Sequence, residues 1–376
     1  MRILVAMSGG VDSSVVAGLL AGQGHEVIGA TLQLYDHGAA VGKKGACCAG
    51  QDIHDARDVA DRLGIPHYVL DRESRFREAV IGDFADSYAR GETPIPCVRC
   101  NQTVKFQDLV GLARDLGCEA LATGHYARRV DGPGGPELHR AADPARDQSY
   151  FLFATTREQL AFARFPLGDM PDKAAVRREA VRLGLAVAEK PDSQDICFVP
   201  QGRYHDLVAK LRPEAAEAGE IVDGAGRVLG RHQGVGRYTV GQARGLGLPG
   251  EAGLRVASLD AAARRVVVAP AASIAVPEVR VGEVNCLAEP PVGPFAATAK
   301  FRAREVPQPV TAAWNPETRE MVVRPDRPVI SAPGQGCVLY DGERVLGGGF
   351  IRAAAAPRTA REAPARNAVD SWAAPA

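Results

Sequence analysis

The stretch that decides the fold is Ser8-Gly9-Gly10-Val11-Asp12-Ser13-Ser14. It lies between two apolar runs, Ile3-Leu4-Val5-Ala6-Met7 and Val15-Val16-Ala17-Gly18-Leu19-Leu20. An apolar strand, a Gly-Gly turn, hydroxyls and an apolar helix together make an anion-binding arrangement. Glycines let backbone N–H groups approach a phosphate, and the helix N-terminus directs unsatisfied donors and partial positive charge toward it. Ser13 and Ser14 can cap the helix or touch phosphate oxygens. A bare SGG is only a tight strand-to-helix turn; the full string directly after a buried strand says more. It is not a Walker A loop, because no G-x-x-x-x-G-K-[ST] spacing occurs, and Gly38 to Lys43 comes nearest and fails.

Outward from that loop, strand-like runs alternate with amphipathic helices over roughly 130 residues. Ile3–Met7, Glu26–Thr31, His67–Leu70 and Ala120–Thr123 read as buried parallel strands. Ile53, Ala56, Val59, Ala60 and Leu63 share one face of a helix over Asp52–Leu63, which Gly64 and Pro66 stop. Val104–Leu116 repeats the pattern and ends at Gly117. The alternation predicts an α/β, doubly wound parallel sheet with ligands at the carboxyl ends of its strands. Thr123-Gly124-His125-Tyr126 then faces the same crevice as the opening loop. Asp36 to Gly50, rich in Gly and Ala and carrying Lys43-Lys44 and Cys47-Cys48, reads as a mobile loop whose cysteines are structural rather than chelating.

With 376 residues the chain has room for two or three domains, and 46% hydrophobic against 24% charged residues describes a soluble globular protein. A formal net charge of zero leaves any nucleic-acid partner to be held by local patches. No apolar run reaches the roughly 18 residues of a membrane span. The expected compartment is the cytoplasm, where eight dispersed cysteines point to reactive or ligand thiols rather than a disulfide framework.

Two cysteines stand out. In Thr93-Pro94-Ile95-Pro96-Cys97-Val98-Arg99-Cys100-Asn101 the prolines hold the approach extended and set Cys100 just ahead of a helix. A thiol beside Arg99 and near a helix N-terminus is expected to have a lowered pKa. The alternatives are a buried CxxC without chemistry and a zinc site, though no second CxxC is present. Farther on, Lys190-Pro191-Asp192-Ser193-Gln194-Asp195-Ile196-Cys197-Phe198-Val199 ends a polar run in a cysteine with apolar neighbours. That setting suits a core cysteine or a shielded persulfide.

Taken in order, SGGVDSS, the PxxxCN of Pro96 to Asn101, Ala122-Thr123-Gly124-His125-Tyr126, Asp147-Gln148-Ser149-Tyr150-Phe151-Leu152, Asp192–Phe198 and Tyr238-Thr239-Val240-Gly241-Gln242 resemble the tRNA-specific 2-thiouridylases (the MnmA family) over about residues 1 to 352. The loop itself resembles the PP-loop of enzymes that split ATP between the α and β phosphates. The resemblance implies an adenine nucleotide alpha hydrolase-like fold. It also implies an activity in which ATP adenylates the C2 oxygen of the wobble uridine of tRNA and a cysteine persulfide supplies sulfur, releasing AMP and pyrophosphate. Carried over, Ala6, Met7, Ser8, Gly9, Gly10, Val11, Asp12 and Ser13 hold the nucleotide, with Leu32 and Gly124 near the adenosine. Asp12 helps hold Mg²⁺. Cys197 matches the persulfide carrier and Cys100 its nucleophilic partner, which together form a disulfide once the sulfur has left. His125, the Arg146-Asp147-Gln148 segment, Arg302-Ala303 and Gln335 match tRNA-contact positions. The sulfur donor implied is a cysteine desulfurase or a sulfur-carrier protein.

One departure matters. The family commonly reads Asn-Pro-Asp where this chain has Ile95, Pro96 and Cys97, so a carboxylate expected near the target base is a thiol. Cys97, Cys100 and Cys197 could hold an iron–sulfur cluster, an alternative ranked below the persulfide relay.

The remainder reads as binding modules. A hairpin over Gly219–Gly224 and Arg227–Gly230 opens a small mostly-β unit, and the runs Ala296–Arg304, Val310–Trp314, Glu320–Val323 and Cys337–Tyr340 suggest an antiparallel β-barrel. Lys300, Arg302 and Arg304 alternate and are expected on one face, as a phosphate track or a solvated strand face. The expected domains are 1–200 (catalytic), 201–278 (small central module), 279–352 (barrel) and a disordered tail, 353–376. Two other functions remain open: a PP-loop ligase acting on a small acid, similar to argininosuccinate synthetase, and an RNA- or nucleotide-binding module with zinc-bound cysteines.

Overall fold

The computed structural model describes residues 1–35, 48–192, 196–199, 203–248 and 253–352. The expectations for Lys43-Lys44, for Cys47 and for the tail at 353–376 lie outside them, as does the side chain of Cys48.

Ile3, Leu4 and Val5 are almost wholly buried, so β1 (Arg2–Ala6) lies at the centre of its sheet. It pairs in parallel with β2 (Glu26–Gln33) on one side and β4 (Ala120–Ala122) on the other. With β3 (His67–Asp71) and the two-residue β7 (Ala163–Arg164) the strand order is β3-β2-β1-β4-β7, all parallel. Chain direction across the sheet reverses between β1 and β4, and such a switch point opens a crevice at the strand ends. Both Ser8–Gly10 and Thr123–Gly124 lie there.

Side-chain alternation along β1 divides the core. Ile3 and Val5 pack under the helices Val11–Gly22, Cys48–Leu63 and Lys173–Arg182, while Leu4 packs under Phe106–Asp115 on the opposite face. Helix Val11–Gly22 is apolar almost all round because it is sandwiched, with Val15, Val16 and Ala17 fully buried.

A four-stranded sheet follows, built from β8 (Gly219–Val222), β9 (Val228–His232), β10 (Leu254–Asp260) and β11 (Arg265–Pro270) in the order β10-β11-β8-β9. The hairpin read from the sequence is its β8–β9 pair. Six antiparallel strands then close into a barrel: β12 (Val279–Cys286), β15 (Glu320–Pro325), β14 (Gln308–Asn315), β13 (Pro294–Lys300), β16 (Gly336–Asp341) and β17 (Arg344–Ile351), with β17 pairing back to β12.

Two features differ from expectation. The hairpin β5 (Arg128–Gly132) and β6 (Gly135–His139) leaves the first unit and joins the barrel sheet through the His139–Arg344 pair. The alternation of Lys300, Arg302 and Arg304 does not hold. β13 stops at Lys300, whose side chain turns inward to Asp147 at 3.4 Å, while Arg302 donates to the Val240 carbonyl at 2.9 Å. A phosphate track along that strand is therefore absent; of the three, only Arg304 is exposed.

Candidate active site at the switch point

Beyond Ala6, the Met7 N–H donates to the Ala30 carbonyl (2.8 Å) and the Met7 carbonyl accepts from the Thr31 hydroxyl (2.7 Å), which fixes the exit of the chain from β1. Gly9 has φ +71°, and a Cβ there would lie 2.1 Å from the Asp52 carbonyl oxygen, so glycine is required twice over. Gly10 is the N-cap of the Val11–Gly22 helix without a side-chain cap bond. The serine hydroxyls bind the loop: Ser8 N–H donates to Ser13 Oγ (3.1 Å), and the Ser13 and Ser14 hydroxyls donate to the Gly10 carbonyl (3.2 and 2.9 Å). Gly124 packs so closely on the helix start that a Cβ would meet the Ser13 nitrogen at 3.0 Å. Leu32, half-buried, packs against the cluster under Phe106–Asp115 and against the one that contains Cys100.

Cations encircle this loop. The Asp12 carboxylate accepts from the Tyr126 hydroxyl (2.7 Å) and from Lys173 Nζ (2.7 and 2.8 Å). Lys173 also lies 2.9 Å from Asp192, which Arg146 (2.8 Å) and Arg177 (3.4 Å) reach as well. Burial works against the Asp192 charge, yet the Lys173 and Arg146 hydrogen bonds hold its carboxyl below the usual range. Lys190 donates to the Gly9 carbonyl (3.0 Å) and to Asp52 (2.7 Å), and pairs with Asp55. Lys173 and Arg177 were missed in the sequence, and Tyr126 was quoted only within the Thr123–Tyr126 stretch. Lys190 and Asp192 were quoted there only as the approach to Cys197. Lysines on a helix and before a proline carry no local pattern; only the fold brings them to Gly9 and Asp12.

The thiols occupy the adjoining region. Cys97 and Cys100 lie on the short helix Pro96–Cys100, which continues through a wide π-type turn, Asn101–Lys105, into Phe106–Asp115. Cys100 is buried, Cys97 and Cys197 are exposed, and all three are free thiols. Phe198, next to Cys197, inserts edge-on between Phe76 (5.7 Å) and Phe84 (5.3 Å) in the cluster that contains Cys100. The Tyr35 hydroxyl hydrogen-bonds Cys197. Lys105 has Cys100, Cys97 and Cys197 as its charge partners; burial opposes its charge, but the three thiols raise its pKa.

The expected lowering of the Cys100 pKa is reversed. Burial pushes the thiol up and Lys105 offsets this only in part, while Cys197 is pushed up to about 12 for the same reason. Arg99 does not help, because it turns to the barrel. Its Nη1 is 2.8 Å from Glu283, its Nε 3.5 Å from Asp83, and its guanidinium stacks 4.1 Å over Phe350.

The positions matched to tRNA contact differ in exposure and in what they bond. The His125 ring is enclosed between Phe106 and Phe165 and bonded to Thr123 (2.9 Å), and burial lowers its pKa to about 3, so it is neutral. Arg146 is exposed apart from its Asp192 pair. The Asp147 side chain is only 1% exposed and accepts from Ser149 and the Ala141 N–H, which makes it a structural hub. Gln148 accepts from the Tyr126 N–H (3.0 Å). Ala303 packs on the core, and Gln335 donates to the Thr93 carbonyl (3.1 Å), tying the barrel to the strap that leads to Cys97.

Among the described residues no three His, Cys, Asp or Glu side chains are grouped to hold a metal ion. Cys97, Cys100 and Cys197 therefore do not fit an iron–sulfur cluster in this arrangement. Asp12, neutralised by Lys173, is not a free carboxylate for Mg²⁺. A nucleotide fits better: the left-handed Gly9 turn leaves a cradle of backbone at a helix start, flanked by Lys173 and Lys190.

Residues 1–201 match a family described as "tRNA methyl transferase HUP domain", 205–270 its PRC-barrel domain and 276–351 an "Aminomethyltransferase beta-barrel domain". A tRNA-specific 2-thiouridylase MnmA of Acidiphilium cryptum is 67% identical over 93% of this chain and 100% of its own length. Those of Gluconobacter oxydans and Rhodospirillum centenum are each 60% identical, over 94% and 96% of this chain and 99% and 94% of theirs. At that identity and coverage the chain belongs to the tRNA-specific 2-thiouridylase (MnmA) family.

Proposed function

We propose that the chain transfers sulfur to C2 of the wobble uridine of tRNA, using ATP to activate the C2 oxygen and a Cys197 persulfide as the source. The observation that carries this reading is one segment. At Lys190 and Asp192 it binds the phosphate loop, through Gly9 and Lys173; at Cys197 and Phe198 it enters the cluster around Cys100. A loop for nucleotide phosphate and a pair of thiols thus belong to one crevice.

ATP supplies the leaving group, since an amide-like oxygen departs poorly until a phosphate is attached. Ala6 to Ser13 cradle the phosphates, Lys173 and Lys190 neutralise them, and Leu32 and Gly124 border the adenosine. Cys197 carries the outer sulfur, which ends as C2=S. Cys100 takes the inner sulfur, and the two thiols are oxidised to a Cys100–Cys197 disulfide as the outer sulfur is reduced. Lys105 stabilises the thiolates that attack and leave. Arg146, Gln148, Arg302, Ala303, Gln335, Asp147 and His125 belong to the tRNA side, Asp147 and His125 by holding its backbone shape. Sulfur arrives from a cysteine desulfurase or a sulfur-carrier protein.

The test is incubation with tRNA, ATP, Mg²⁺ and a persulfide donor, followed by nucleoside analysis. The reading requires 2-thiouridine and one AMP for each; AMP without 2-thiouridine, or neither, overturns it. A small-acid ligase leaves Cys100, Cys197 and the barrel without a role, and a zinc module has no ligand group among the described residues.

A further inference from the structure

We propose that Cys97 is a resolving thiol, which moves the disulfide left after sulfur transfer from Cys100–Cys197 to Cys97–Cys100 and so frees Cys197 for reloading. This rests on the sulfur-transfer reading above. The geometry begins with the helix: Cys97 and Cys100 are three residues apart within Pro96–Cys100, on one face of a single turn. A cysteine pair at that spacing in the first turn of a helix is close to the separation that a disulfide needs. Exposure supplies the second argument. Cys100 is buried while Cys97, like Cys197, is exposed, so a Cys97–Cys100 disulfide presents a sulfur to a reductant in solution without engaging Cys197. Charge adds to both, since Cys97, Cys100 and Cys197 are all charge partners of Lys105.

The step balances. Cys97 thiolate attacks Cys100 Sγ, the Cys97–Cys100 bond forms and the Cys100–Cys197 bond breaks. The electron pair leaves on Cys197 Sγ, which takes the proton that Cys97 gave up. No net oxidation occurs in the exchange. Two electrons from a dithiol reductant, attacking the exposed Cys97 sulfur, then reopen the pair. Without the relay, reductant and sulfur donor compete for the same atom, Cys197.

The experiment uses the full chain. After one turnover with tRNA and ATP in the absence of reductant, free thiols are alkylated and disulfides mapped by peptide mass spectrometry. A parallel sample, oxidised with one equivalent of an exchangeable small-molecule disulfide, bypasses the reaction and reads the exchange alone. In both samples the wild type is expected to hold Cys97–Cys100 with Cys197 alkylated, and Cys97→Ser to hold Cys100–Cys197. With a dithiol reductant present, Cys97→Ser should lose about tenfold in later turnovers relative to the first, while Cys97→Ala behaves the same way. Cys100–Cys197 as the sole disulfide in the oxidised wild type overturns the inference, whether or not tRNA is thiolated. Cys97–Cys100 there without 2-thiouridine in the other sample supports the exchange and overturns the sulfur-transfer reading instead.

Discussion

The phosphate loop and the thiol cluster lie side by side and are built in opposite ways. Every hydroxyl of Ser8, Ser13 and Ser14 is hydrogen-bonded inside the loop, and Asp12, Asp52 and Asp55 each have a lysine partner. This half is preorganised by its own hydrogen bonds and ion pairs. The thiol half has no such lattice of bonds: Cys100 is buried and Cys197 exposed, the pKa of each is pushed up, and the two are not bonded to each other.

The largest effect that could break this comparison is on the thiols. Cys100→Ser and Cys197→Ser should each abolish 2-thiouridine formation while leaving ATP affinity within about twofold by calorimetry; sustained multiple turnover in either would separate the thiols from the loop. Next is the loop itself. Gly9→Ala forces a Cβ into the Asp52 carbonyl at a left-handed φ that favours glycine, and should cost about 2 kcal/mol, seen as roughly a 30-fold weaker ATP Kd.

A pH titration sharpens the contrast. Because burial raises Cys100 and Cys197, their thiolate fraction grows as pH rises, so alkylation of the free enzyme should increase about tenfold per unit between pH 7 and 9 without levelling. Lys105→Met removes the one cation facing them and should slow alkylation about tenfold at pH 8; an unchanged rate would remove Lys105 from the site. The smallest effect lies at the periphery. Arg302→Glu is expected to weaken tRNA binding only severalfold and to flatten its salt dependence, measured by filter binding across a salt series.

The loop was legible because its signal is local: an apolar strand, two glycines and a helix start within twelve residues. The parallel sheet followed from the same alternation, and four of its five strands came within two residues of their places. β7 escaped because two residues carry no period, and the β5–β6 hairpin because nothing local says that it joins a barrel some two hundred residues away. Cys100 and Cys197 were singled out through resemblance, while their charge environment was misread. A cation adjacent in sequence, Arg99, was credited with an influence that belongs to Lys105, six residues on. A π-type turn separates them, and turn geometry of that kind is invisible to a reading of nearest neighbours. Lys300 teaches the same lesson: alternation predicted an exposed row, and an inward ion pair with Asp147 ended it.

The measurement that bears most directly on a shared site follows both halves at once: AMP and 2-thiouridine released from one reaction, in wild type and in Cys197→Ser. The account predicts equal amounts of the two products in the wild type and no 2-thiouridine in the variant, with ATP still bound. Full 2-thiouridine yield from Cys197→Ser, or its formation in the wild type without AMP, would contradict it.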